Sequence, residues 1–187
     1  MRLATSLITT LALSLAGTAA AGTKAGITMP DTTQVGDKQL VLNGLGLREA
    51  TAFKVDVYVA GLYLETRSSD PSKILASNET KRIVMTFKRG VDRKDIVKAW
   101  NEGFHNNSPA VVPKIQSGIE KLNGWMPKFR KGDTLTLTYV PGAGVNVHVN
   151  GTHKGLIQGE DFARALFAIW LGPKPPSGAL KTGMLGK

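Results

Sequence analysis

From Gln39 to Leu47 and again from Phe53 to Leu64, apolar side chains recur at every second position. In the second run Phe53, Val55, Val57 and Val59 share one face, and Lys54, Asp56, Tyr58 and Ala60 the other. Period two predicts extended strands with a covered face and rules out helix over this stretch. Arg48 interrupts the pattern with a charge that burial does not remove. On a mostly apolar strand such a group must reach solvent, pair with an acid such as Asp56 or Glu49, or face an anionic ligand.

The rest of the chain alternates between the same two periodicities. Asp70-Pro71-Ser72 reads as the start of a short helix ending near Ser77, and Lys81 to Lys88 returns to strand. From Asp92, a candidate cap, Ile96, Trp100 and Phe104 recur every four residues, which predicts a helix. A second helix is predicted from Pro113, with Ile115, Ile119 and Leu122 on one side. Leu135 to Val140, Val145 to Val149 and Thr152 to Ile157 are strand-like, and Asn150-Gly151 between the last two predicts a two-residue hairpin turn. A last helix from about Glu160 to Leu171 is stopped by Gly172 and the prolines at 173, 175 and 176. Strands, two helices, strands and a helix specify an α+β fold, a large mostly antiparallel sheet covered by helices.

The first residues set a compartment. Arg2, an apolar run from Leu3 to Ala16 and the small residues Ala19, Ala20 and Ala21 have the layout of a secretory signal peptide, 1–21, with the mature chain expected as one domain over 22–187. Export across an inner membrane to a periplasm is the expectation. The apolar run is shorter than the ~20 residues of a membrane span. The chain has no cysteine, which excludes disulfides, thiol catalysis and cysteine metal sites. A net charge of +10 suits peripheral contact with an anionic membrane surface. The basic residues are scattered, and with no recognisable nucleic-acid motif no nucleic-acid partner is expected.

Two glycine patterns fail as nucleotide sites. Gly44-Leu45-Gly46 has Glu49 where a third glycine belongs, Gly142-Ala143-Gly144 has Val147 there, and both read as bends. His148 and His153 flank the Asn150-Gly151 turn as cross-strand neighbours, but a stable zinc site needs three or four ligands and no third is near in sequence. His105 stands alone, and no Ser/His/Asp order or paired carboxylates support a hydrolase. No metal and no cofactor are expected, and no oligomeric state follows from the sequence.

Gly44-x-Gly46-x-Arg48, followed by Phe53-Lys54-Val55-x-Val57-Tyr58-Val59-x-Gly61-Leu62-Tyr63-Leu64-Glu65, resembles the chalcone isomerase superfamily, in particular its bacterial chalcone isomerase-like branch. The resemblance implies an open-faced β-sandwich with a ligand cleft between sheet and helices. It places Arg48 on the arginine that stabilises anionic oxygen in the plant isomerases, and Tyr58 on their strand threonine. The tyrosine and asparagine that those enzymes carry on the following helix have no tyrosine counterpart between Val91 and Asn107; the nearest positions are Arg93, Trp100 and Asn101. That departure removes most of the network that would position a flavonoid and leaves the anion site. Fatty-acid-binding members of the superfamily hold a carboxylate with an arginine and a tyrosine, which Arg48 and Tyr58 resemble. The resemblance therefore implies a binder of a small amphipathic anion such as a fatty acid. The alternative is an isomerase or lyase acting on an enone or phenolic substrate, with Arg48 as oxyanion stabiliser.

Overall fold

Seven strands hydrogen-bond in sequence order, each antiparallel to the next: β3 (Thr32–Val35), β4 (Lys38–Ala50), β5 (Val55–Leu64), β6 (Lys81–Phe87), β7 (Thr134–Val140), β8 (Gly144–Val149) and β9 (Thr152–Ile157). A separate hairpin precedes them, β1 (Ala21–Lys24) with β2 (Ile27–Pro30). The helices are α1 (Pro71–Ala76) between β5 and β6, α2 (Arg93–Asn107) and α3 (Val112–Trp125) between β6 and β7, and α4 (Glu160–Leu171) and α5 (Gly178–Met184) at the end. This is a computed structural model, and it describes residues 21–50 and 54–187. The signal-peptide expectation, apart from Ala21, and the strand position of Phe53 lie outside the described residues.

The architecture is the expected α+β one, a large antiparallel sheet layered against helices. On the helix side, Tyr58, Leu62, Ile83, Met85, Leu137 and Val147 meet Ile96, Phe104, Ile119 and Leu166 in one continuous core. Each fully buried side chain of that size contributes about 1.5–3 kcal/mol. On the other face Leu40, Leu42 and Tyr63 form a smaller cluster with Leu45 and Val84. The β1–β2 hairpin belongs to that side, where the Tyr63 hydroxyl donates to the Pro30 carbonyl at 2.8 Å.

The turns and caps follow local chemistry, with three departures from expectation. Asn150 and Gly151 both take positive φ, 49° and 76°, which gives the two-residue hairpin its primed turn. Asp70 caps α1 by accepting from the backbone N–H groups of Ser72 and Lys73. Asp92 does not cap α2; its carboxylate pairs with Lys128 at 2.9 Å instead. Gly44 and Gly46 are not bends but lie within β4, where α5 packs directly on their backbone. A Cβ at Gly44 would stand 2.2 Å from the Gly183 carbonyl oxygen, and one at Gly46 2.2 Å from that of Leu180. The third departure is α5 itself, which was not expected; Ser177 caps it by accepting from Leu180 N–H at 3.1 Å.

Candidate functional site

The glycines that seat α5 also fix where Arg48 points. Gly44, Gly46 and Arg48 pair with Leu62, Ala60 and Tyr58 across the β4–β5 register, and Leu62, Ala60 and Tyr58 belong to the helix-side core. Alternation therefore turns Arg48 toward the helices, just beyond the part of β4 that α5 covers. There it borders a cleft of about 480 Å³, within the range of about 300–1,000 Å³ usual for small-molecule sites.

The cleft lies between the hairpin end of β4 and β5, the face of α2, and the end of α4 with the segment after it. Val57, Met85, Phe87, Ile96 and Ile169 supply apolar wall, and Pro175 and Pro176 close one side. Tyr58, Trp100 and Trp170 add aromatic wall, with the two indoles edge to face at 5.3 Å between centroids. Phe87 meets Tyr58 in an edge-type contact at 5.9 Å between centroids and stacks on Phe129 at 4.0 Å, so the floor is held by a second aromatic layer.

The polar groups in this apolar setting are mostly donors. Trp170 Nε1–H donates to the Tyr58 hydroxyl at 3.2 Å, which fixes the phenol oxygen as acceptor there and leaves its own hydrogen without an acceptor among the described residues. Burial pushes the Tyr58 phenol up to about 12, against the opposing Trp170 hydrogen bond and Arg48 charge, so at neutral pH it remains a donor. Trp100 is 2 % exposed and its Nε1–H has no partner among the described residues. Arg48 donates to the carbonyl of its neighbour Glu49 and forms no salt bridge with any described carboxylate. Asp56, one of the two acids close to it in sequence, pairs with Lys88 at 3.1 Å. Asp95 and Glu102 also line the cleft, both exposed on α2.

Of the five residues singled out in the sequence, Arg48, Tyr58 and Trp100 come together on this cleft. Arg93 and Asn101 do not line it. Arg93 donates to the carbonyls of Met126 and Asn123, at 3.1 and 3.0 Å, and Asn101 accepts from the Asn123 amide at 2.9 Å. Both tie α2 to the end of α3, away from the cleft. Trp170 was read only as a helix residue, because spacing marks it as apolar and says nothing of its N–H.

The other candidates are quieter. His148 and His153 are cross-strand partners with ring centroids 4.9 Å apart, and no described group of three or more His, Asp or Glu is placed to hold a metal ion. No described helix is long and apolar enough to cross a membrane.

No curated protein matches the sequence. Among solved structures, a fatty-acid binding protein of Arabidopsis thaliana is similar with a TM-score of 0.67 at 18% identity, over 89% of this chain and 96% of that one. A sequence model described as chalcone isomerase-like matches residues 21–186. With that match over nearly its whole length, and the sheet-and-helix layering that accompanies it, the chain belongs to the chalcone isomerase-like family.

Proposed function

We propose that this protein is exported and binds a small amphipathic anion such as a fatty acid, held in the cleft with its head on Arg48 and Tyr58. One observation carries the reading: Arg48 borders an apolar cleft with no carboxylate partner among the described residues, beside a phenol whose oxygen is already oriented by Trp170. A guanidinium fork takes both oxygens of a carboxylate, and a phenol adds a neutral donor to the same group. Trp100, which also lines the cleft, carries a buried Nε1–H with no partner among the described residues. Each tail methylene buried in the cleft contributes roughly 0.8 kcal/mol, enough for a long chain to bind without any catalytic group. The likeness to a protein described as fatty-acid binding supports the same ligand class.

Native mass spectrometry of the purified protein with and without added oleate tests this. The expected result is a one-to-one complex whose occupancy falls sharply in Arg48→Ala. No complex in the wild type, or equal occupancy in the variant, rejects the reading. Accelerated ring closure of a chalcone, abolished in Arg48→Ala, would instead establish the isomerase alternative. Export predicts a mature N-terminus at Gly22, read directly from the intact mass of the secreted protein.

A further inference from the structure

The excess of basic groups is concentrated at one end of the strands, and the cleft lies at that end. The end of β4, the start of β5 and the β6–α2, α3–β7 and β8–β9 connections all lie at one end of the sheet, as the pairings Ala50↔Val55, Thr86↔Thr134 and Val149↔Thr152 require. The β1–β2 turn joins them, since Lys88 Nζ donates to the Ala25 carbonyl. Lys24, Lys54, Arg89, Lys94, Arg130 and Lys131 are exposed at this end, and none has a carboxylate within salt-bridge distance among the described residues. Of the acids at the same end, Asp56 and Asp92 are paired with Lys88 and Lys128, and Glu49, Asp95 and Asp133 leave the cations in excess. At the opposite end the charges are nearly balanced, Asp37, Glu65, Asp70, Glu79 and Glu160 lying among Lys38, Arg67, Lys73, Lys81 and Arg164.

Two further features distinguish this end from an ordinary solvated basic surface. Val55, beside Lys54, is one of only two large apolar side chains exposed among the described residues, at 37 %. The cleft is bordered here as well, by Ala50, Val57 and Val91. We infer that this end docks on an anionic lipid surface, with Val55 entering the interface and the cleft facing the bilayer. Basic groups plus an apolar contact are the two signals that together give peripheral binding. A nucleic acid would meet the charge but has no use for an apolar cleft beside it. The docking stands on charge and exposure alone; that the docked protein exchanges its ligand with the bilayer rests on the proposed function.

The test is vesicle flotation of the purified protein without added fatty acid, so that it reports docking whether or not a fatty acid binds in solution. The protein is expected to float with phosphatidylcholine vesicles containing about a third phosphatidylglycerol, to stay behind with pure phosphatidylcholine, and to be released by high salt. The triple variant Lys54→Gln, Arg89→Gln, Lys131→Gln should bind roughly a hundred-fold more weakly, at about five-fold per basic group. Lys73→Gln, Arg164→Gln and Lys187→Gln together, at the other end, should bind as wild type. Val55→Trp should show a blue-shifted emission increment on anionic vesicles only. Equal loss in the two triple variants, no flotation on anionic vesicles, or selective binding of duplex DNA in their place would overturn the inference.

Discussion

Two cations face the same side of the same sheet, Lys81 at the start of β6 and Arg48 near the end of β4, and their surroundings could hardly differ more. Lys81 is 4 % exposed, and its ammonium donates to the Ile74 carbonyl at 2.6 Å, the Ser77 carbonyl at 2.8 Å and the Ser77 hydroxyl at 3.2 Å. It closes the C-terminal end of α1, where carbonyls lack helical partners. Burial pushes its pKa down to about 8, with the Arg164 charge acting the same way and Glu79 opposing. Arg48 is half-buried and donates only to the carbonyl of Glu49, and nearby Tyr58 and Trp100 each hold an unspent hydrogen. A cation whose hydrogens are all used builds the fold; one left unpaired beside further donors is set for something that arrives.

The comparison breaks most readily at Lys81. Lys81→Met keeps the apolar stem and strands the carbonyls of Ile74 and Ser77, which should lower unfolding stability by about 3 kcal/mol in urea denaturation and leave ligand affinity unchanged. Arg48→Ala should do the reverse, lowering fatty-acid affinity by about 2 kcal/mol, some thirty-fold, while unfolding stability moves by less than about 0.5 kcal/mol. A large stability loss in Arg48→Ala would make the two cations alike and remove the distinction.

Tyr58→Phe tests the middle ground, because the phenol serves both roles. It should weaken binding by about 1 kcal/mol through the lost donor and reduce stability by a similar amount, since Trp170 Nε1–H loses its acceptor. Titration of unfolding against pH reads the same phenol independently of any ligand. The Tyr58 phenol titrates at about 12 when folded against about 10 when unfolded, so the folded state holds its proton longer. Its contribution is complete below pH 10 and is lost as the pH rises toward 12. The stability of wild type should therefore fall relative to Tyr58→Phe across that window.

Much of this contrast was legible in the sequence because its carriers are periodic. Strand alternation in the second run put Tyr58 and Ala60 on one face, where both join the helix-side core, although Val57, expected on the opposite face, packs against that same core and lines the cleft. The four-residue spacing of Ile96, Trp100 and Phe104 made them one side of α2, where all three are buried. Arg93 and Asn101 were drawn toward the site by their nearness in sequence to family positions, but helical geometry turns them to α3. The four-residue strands β1, β2 and β3 were missed because so short a run shows little period. Helix α5 was missed although its Ser177 cap follows the stopping prolines, and with it the reason for Gly44 and Gly46. Those glycines are small because a neighbour's backbone lies on them, a fact of tertiary packing that no local pattern records.

The most direct test of the account is calorimetric titration of oleate into wild-type protein, Arg48→Ala and Lys81→Met at pH 7.5. The account requires one site in wild type, the same affinity in Lys81→Met, and roughly thirty-fold weaker binding in Arg48→Ala. Equal affinity in wild type and Arg48→Ala, or no heat of binding in wild type, would contradict it.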